Sequence, residues 1–143
     1  MSTSAMPRSL FLGLAVLLGL VMTANGVFML VSPSSWYFAV PGVTTTGPFN
    51  QHFVRDIGLV FLFLGSAFLI GVARANARIF LWTAATLWLW GHAIFHFLEV
   101  AVGICHPSAI SRDFPAVTLP AIIAAVLTFW AMREARIVRA EEA

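Results

Sequence analysis

The sequence predicts an all-α fold: a four-helix transmembrane bundle running up-down-up-down, with both termini in the cytoplasm. Three observations carry this expectation. Hydrophobic residues make up 60% of the 143 positions and charged residues only 10%, against about a quarter charged in a soluble domain. Four apolar segments, residues 9–31, 52–73, 79–103 and 114–132, reach the roughly 20 residues that cross about 30 Å of hydrocarbon. Only a closed structure satisfies its own backbone in lipid, so each segment is read as a helix. Finally, Arg8, Arg74, Arg78, Arg133, Arg136 and Arg139 fall on one side of this arrangement, and only Arg112 lies in a loop on the other. The positive-inside rule then puts both termini in the cytoplasm. Residues 1–143 form one domain, with no repeat, low-complexity stretch or linker.

The first nine residues are short and polar, and an apolar run from residue 10 to 31 follows. That run is too long for a signal-peptide core, and Met22-Thr23-Ala24 is a poor cleavage site, so the segment reads as a retained first span. Asn25 lies about 9 Å from its outer end. The 20-residue outer loop, 32–51, is uncharged. Ser32-Pro33 reads as a helix cap followed by proline at the first helical position, opening a short interfacial helix with Trp36, Tyr37 and Phe38. Pro41-Gly42 ends it as a turn, residues 44–48 read as irregular, and Asn50 caps the second span. The loop is either a lid over the bundle or an aromatic interface anchor.

On the second span, His52 and Asp56 share a face, with Arg55 about 100° around the helix from Asp56. On the third, His92 and His96 share a face, Glu99 follows, and Gly103 and His106 continue the stripe. Depths from the outer end are about 6 Å for Glu99 and Asp56, 10 Å for His96 and 16 Å for His92. Ionisable groups in lipid are costly and face inward, so His52, Arg55, Asp56, His92, His96, Glu99 and His106 form a candidate site near the outer surface. Trp82 and Trp130 sit near the inner ends of their helices, where indole rings favour the interface. The tail, residues 133–143, mixes Arg and Glu and reads as a solvated helical extension within reach of anionic lipid. Small residues at seven-residue spacing (Gly19 and Gly26, Gly58 and Gly65, Ala84 and Gly91) predict close helix packing.

Three readings of the polar constellation stand side by side. In the first it is a structural network, with Arg55 paired to Glu99 or to Asp56. In the second, His92, His96 and Glu99, joined by His52 or Asp56, hold a transition metal. Imidazole suits Zn, Cu or Fe without choosing among them. Haem is the narrower form of this reading. His92 and His96 cannot both be axial ligands from one helix, so His52 would complete the pair beside Trp88. In the third, His and carboxylate groups among Trp88, Trp90, Phe95 and Phe97 bind a quinone or another small molecule, as in an accessory subunit of a membrane redox complex. Expected partners are the lipid bilayer and a membrane protein or a second copy of the chain. The pI near 9.5 reflects arginines at membrane edges, not nucleic-acid binding. Cys105 stands alone and cannot form an intramolecular disulfide; it reads first as a small buried thiol, while the adjacent His106 leaves metal ligation or an intermolecular bridge open. Nucleophile elbow, phosphate loop and nucleotide fingerprint are absent, so no enzymatic reaction is assigned.

The stretch Arg55-Asp56-Ile57-Gly58, followed by an apolar run through Gly65 and Gly71, resembles the second span of DoxX-like small four-helix bacterial membrane proteins. The resemblance implies a four-helix plan and a redox-linked role with quinone or thiol partners, and it assigns no site residue. With arginine as the only basic residue besides histidine, the expected location is a bacterial inner membrane.

Overall fold

The computed structural model describes residues 7–141, so most of the polar N-terminal segment and the last two residues of the tail lie outside the described residues. Every regular element described is helical. Helix α1 spans Arg8–Val31, α2 Pro33–Ala39, α3 Gln51–Ala73, α4 Ala75–Ala101, α5 Ser108–Asp113 and α6 Leu119–Glu141, with a 3-10 turn at Val43–Thr45. A π-helical segment, Phe114–Thr118, joins α5 to α6. Three helical stretches are long and apolar enough to cross a membrane: α1, α3 and the continuous run Ser108–Glu141. Helix α4 has 27 residues, about 40 Å at 1.5 Å per residue.

The long helices form a ring in which α1 packs on α3, α3 on α4, α4 on α6, and α6 back on α1. The α1–α3 seam is made by glycine. A Cβ on Gly26 would lie 2.7 Å from the Gly58 carbonyl oxygen, and one on Gly65 2.7 Å from that of Gly19, so the two backbones touch. This is the close approach expected where lipid supplies no hydrophobic drive and packing must hold helices together. The third expected pair behaves differently. Gly91 has nothing within 4 Å and Ala84 is exposed, because both lie on the outward side of α4.

The core gathers Leu18 and Met22 of α1, Leu64 and Phe68 of α3, Trp82 and Leu89 of α4, and Leu127 of α6. Alanines on α4 and α6 (Ala85, Ala93, Ala121, Ala124) fill the remaining space. Thr86 and Thr128 hydrogen-bond across the α4–α6 interface at 2.9 Å. The expected role of Trp82 as an interface anchor is corrected: it is fully buried and donates to the Phe68 carbonyl at 3.2 Å. Trp130 stacks on Phe11 at 4.8 Å. Both indoles pack on the bundle, Trp82 within the core and Trp130 against it, beneath the Arg78 guanidinium.

The loop between α1 and α3 keeps part of its expected pattern, with the 3-10 turn at Val43–Thr45 entering the stretch read as irregular. Pro33 begins α2, Gly42 turns with φ of 87°, and Asn50 accepts from the Phe53 amide at 3.1 Å. Ser32 precedes the helix without capping its backbone; its hydroxyl donates to Ser35 Oγ instead. Asn25, on the first span, accepts from Trp36 Nε1 at 2.9 Å and so ties α2 to α1. Tyr37 is buried and donates to the Gly47 carbonyl at 2.6 Å.

Candidate functional site

A polar grouping at the C-terminal end of α4 is built on α4 and α5. Arg112 holds Asp113 through two bonds, Nε at 2.7 Å and Nη2 at 3.1 Å. The second carboxylate oxygen also meets His96 Nδ1 at 3.4 Å. His96 is edge-on to His92, with ring centres 4.7 Å apart, and His92 stacks on Trp88 at 5.0 Å. A file of groups thus runs from a surface arginine through Asp113 and His96 to His92 and Trp88. The π-helical segment, which contains Pro115, follows Asp113 directly. Proline has no N–H for the regular helical ladder, and the wider π turn absorbs the break, as such turns often do beside functional sites.

A cleft with room for about one water molecule borders His96 and Asp113. Its other walls include Phe97, Val100, Cys105, Ile110, Val117 and Thr118. The α1–α3 loop touches the arginine: a Cβ on Gly42 would overlap the Arg112 guanidinium. The loop therefore packs on the site through this contact.

Asp113 and Arg112 are the residues sequence reasoning missed. Both were assigned to the outer loop, yet they form the last turn of a helix that continues into α6. The available signal was position: Asp113 immediately precedes the fourth apolar run, level with the outer end of α4.

Several expected members do not join the grouping. Among the described residues His52 pairs only with Asp56 of its own helix, at 3.3 Å, with side chains 89% and 55% exposed. Their stripe continues through the exposed Leu59 and Phe63, so it faces away from the bundle. The expected Arg55–Glu99 ion pair is absent among the described residues. Arg55 shares the stripe of Gly58 and Gly65 that faces α1, and its Nε donates to the Leu30 carbonyl at 3.2 Å. The side chain of Glu99 makes no hydrogen bond or ion pair among the described residues; its backbone carbonyl accepts from Ile104 and Cys105 as α4 ends. His106 contacts Ser108 through its ring nitrogen and folds the start of α5 locally. Among the described residues no three His, Cys, Asp or Glu side chains come together as a metal-binding group. The proposed ligand set of His92, His96, Glu99, His52 and Asp56 is therefore not assembled: α3 turns its polar stripe outward while α4 turns His96 toward α5.

A second cluster, not anticipated, lies at the opposite end. Arg78 is only 4% exposed. Its Nη1 bonds Glu134 at 3.0 Å, and its Nε donates to the Gly71 carbonyl at 2.8 Å. The guanidinium lies over Trp82 and Trp130, 5.5 and 5.7 Å from the ring centres. Arg8 meets the other oxygen of Glu134 at 2.9 Å. The expectation of Arg78 in a loop is corrected by the connection itself. Arg74 alone separates α3 from α4, so Arg78 sits one turn inside α4, against the end of α3. There it binds carbonyls at a helix C-terminus, where a cation is favoured.

Comparison with protein-family models, curated proteins and solved structures finds no match to this chain.

Proposed function

We propose that the chain is a four-span protein of a bacterial inner membrane, DoxX-like in plan, with both termini in the cytoplasm. Its outer-leaflet site hydrogen-bonds the polar head of a small lipophilic molecule, in the manner of an accessory subunit of a membrane redox complex. Support for α4 as the fourth span comes from its length and its packing along both α3 and α6. Support for the orientation comes from arginine: the α1 start, the α3–α4 turn and the α6 end carry six, and the outer loops one.

The observation that carries the ligand reading is the His96–Asp113 pair on one wall of an otherwise largely apolar cleft. A few placed polar groups among apolar walls are what orients a lipophilic ligand. As it stands the cleft admits a single small group, such as a carbonyl or hydroxyl oxygen. His96 and Asp113 together offer a donor and an acceptor to it. The metal reading is set aside because its ligands lie on different faces.

Mass spectrometry of an organic extract of the purified protein tests this reading. A lipophilic compound with a hydrogen-bonding head is expected at near-stoichiometric amount, and it is lost in His96→Leu and in Asp113→Asn with the bundle still folded. Equal retention by wild type and both variants, or no such compound in any sample, refutes it.

A further inference from the structure

Beyond the outer site, the end of α6 segregates its charges. Glu134 faces the bundle, where it bonds Arg8 and Arg78. At 100° per residue, Glu141 lies on nearly the same face. Arg133, Arg136 and Arg139 occupy the other side of the helix, and all three are exposed. None pairs with a carboxylate among the described residues, whose ion pairs at this end involve only Arg8, Arg78 and Glu134. Arg133 lies over the ring of Phe129, 5.9 Å from its centre, and Phe129 is itself 62% exposed on the lipid-facing side. That contact aims the arginine face at the surrounding bilayer.

Length sets the depth. The continuous helical run Ser108–Glu141 has 34 residues, about 51 Å, against about 30 Å of hydrocarbon. Counting about 20 residues from Phe114 brings the chain to Arg133. The next two helical turns, with Arg136 and Arg139, then traverse the headgroup layer, which adds only about 5–8 Å per side. Exposed Ile137 and Val138 accompany them. Arg74, exposed at the α3–α4 turn, adds a cation at the same end.

We propose that this arginine face binds the phosphodiester headgroups of anionic phospholipids in the adjoining leaflet. The charge is complementary, the height matches, and Glu134, the carboxylate beside Arg133, is held by Arg8 and Arg78. The inference needs only that α6 crosses the bilayer; it stands whether or not the outer site binds a ligand.

The test is lipid retention by the full-length protein in neutral detergent, read by native mass spectrometry during titration with phosphatidylglycerol or phosphatidylcholine. Wild type is expected to hold phosphatidylglycerol in preference. A basic side chain near an anionic surface contributes about fivefold to partitioning. Arg133→Gln, Arg136→Gln and Arg139→Gln together should therefore lower apparent affinity for phosphatidylglycerol by up to about a hundredfold, with phosphatidylcholine unaffected. The corresponding Arg→Lys triple variant should keep most of the preference, because a point charge suffices. Each single Arg→Gln change should lower it severalfold, which keeps the test decisive if the triple variant fails to fold. Unchanged preference in the Arg→Gln variants overturns the proposal, as does equal retention of the two lipids by wild type. Displacement of bound phosphatidylglycerol by millimolar inorganic phosphate would also overturn it, by showing a site for the free anion.

Discussion

Glu134 links two arginines of opposite character, and this allows a prediction worked from their burial. The Arg78 side chain is 5% exposed and the Arg8 side chain 61%, with Glu134 between them at 26%. Removing one partner of a buried ion pair costs about 3–5 kcal/mol, because the charge left behind is uncompensated. An exposed pair contributes about 0–1 kcal/mol. Glu134→Gln should therefore destabilise by about 3 kcal/mol, near the lower bound, because Arg78 retains the carbonyls of Gly71 and Val72 and two indole faces. Arg78→Gln should cost about 3–5 kcal/mol, since it also strips those carbonyls of their donor. Arg8→Gln should cost at most about 1 kcal/mol. Equilibrium unfolding in mixed detergent micelles, followed by tryptophan fluorescence, gives these values, and Trp82 and Trp130 report on this end of the bundle directly. A double-mutant cycle should show strong coupling of Glu134 to Arg78 and weak coupling to Arg8. Coupling larger for Arg8, or a Glu134→Gln cost below about 1 kcal/mol, would refute the burial argument.

Further expectations follow from the packing and from the span arrangement. Gly65→Ala drives a Cβ to 2.7 Å from the Gly19 carbonyl oxygen, an overpacking cost of about 1–3 kcal/mol. Gly91→Ala, with open space around it, should be neutral or stabilising by up to about 1 kcal/mol; equal effects at the two sites would contradict the α1–α3 seam. Gly42→Ala combines a left-handed φ of 87° with overlap on Arg112, and should destabilise by about 1–3 kcal/mol while raising proteolysis of the outer loop; an unaltered cleavage rate would mean that the loop does not rest on Arg112. Arg55→Gln and Glu99→Gln should be additive in a thermal-shift cycle, since the two side chains do not meet, and coupling above about 0.5 kcal/mol would show otherwise. Cysteines placed at Thr45 and Arg139 should be labelled by an impermeant maleimide from opposite sides of the membrane, and same-side labelling would overturn the four-span arrangement.

The sequence by itself determined the helical, membrane-type character of the chain, because hydropathy and length are local properties that every segment carries alone. The Pro33 start of α2, the Gly42 turn and the Asn50 cap were legible for the same reason: each depends on a few neighbouring residues. Periodicity also placed His92 beside His96 and His52 beside Asp56, and both adjacencies hold on their own helices. What it could not supply was the rotation of one helix about its axis relative to the next. The Gly19–Gly65 and Gly26–Gly58 contacts turn α3 so that Arg55 meets α1 and His52 faces outward, which separates α3 from the histidines of α4. The one-residue connection at Arg74 draws Arg78 into the bundle, and the π turn after Asp113 accompanies the placement of that carboxylate against His96. These pairings join residues 17 and 56 positions apart, and they exist only where packing of small residues sets the azimuth and height of each helix. Tertiary structure therefore decided which polar groups meet, because in lipid the low cost of rotating an apolar helix leaves that choice to interhelical contact.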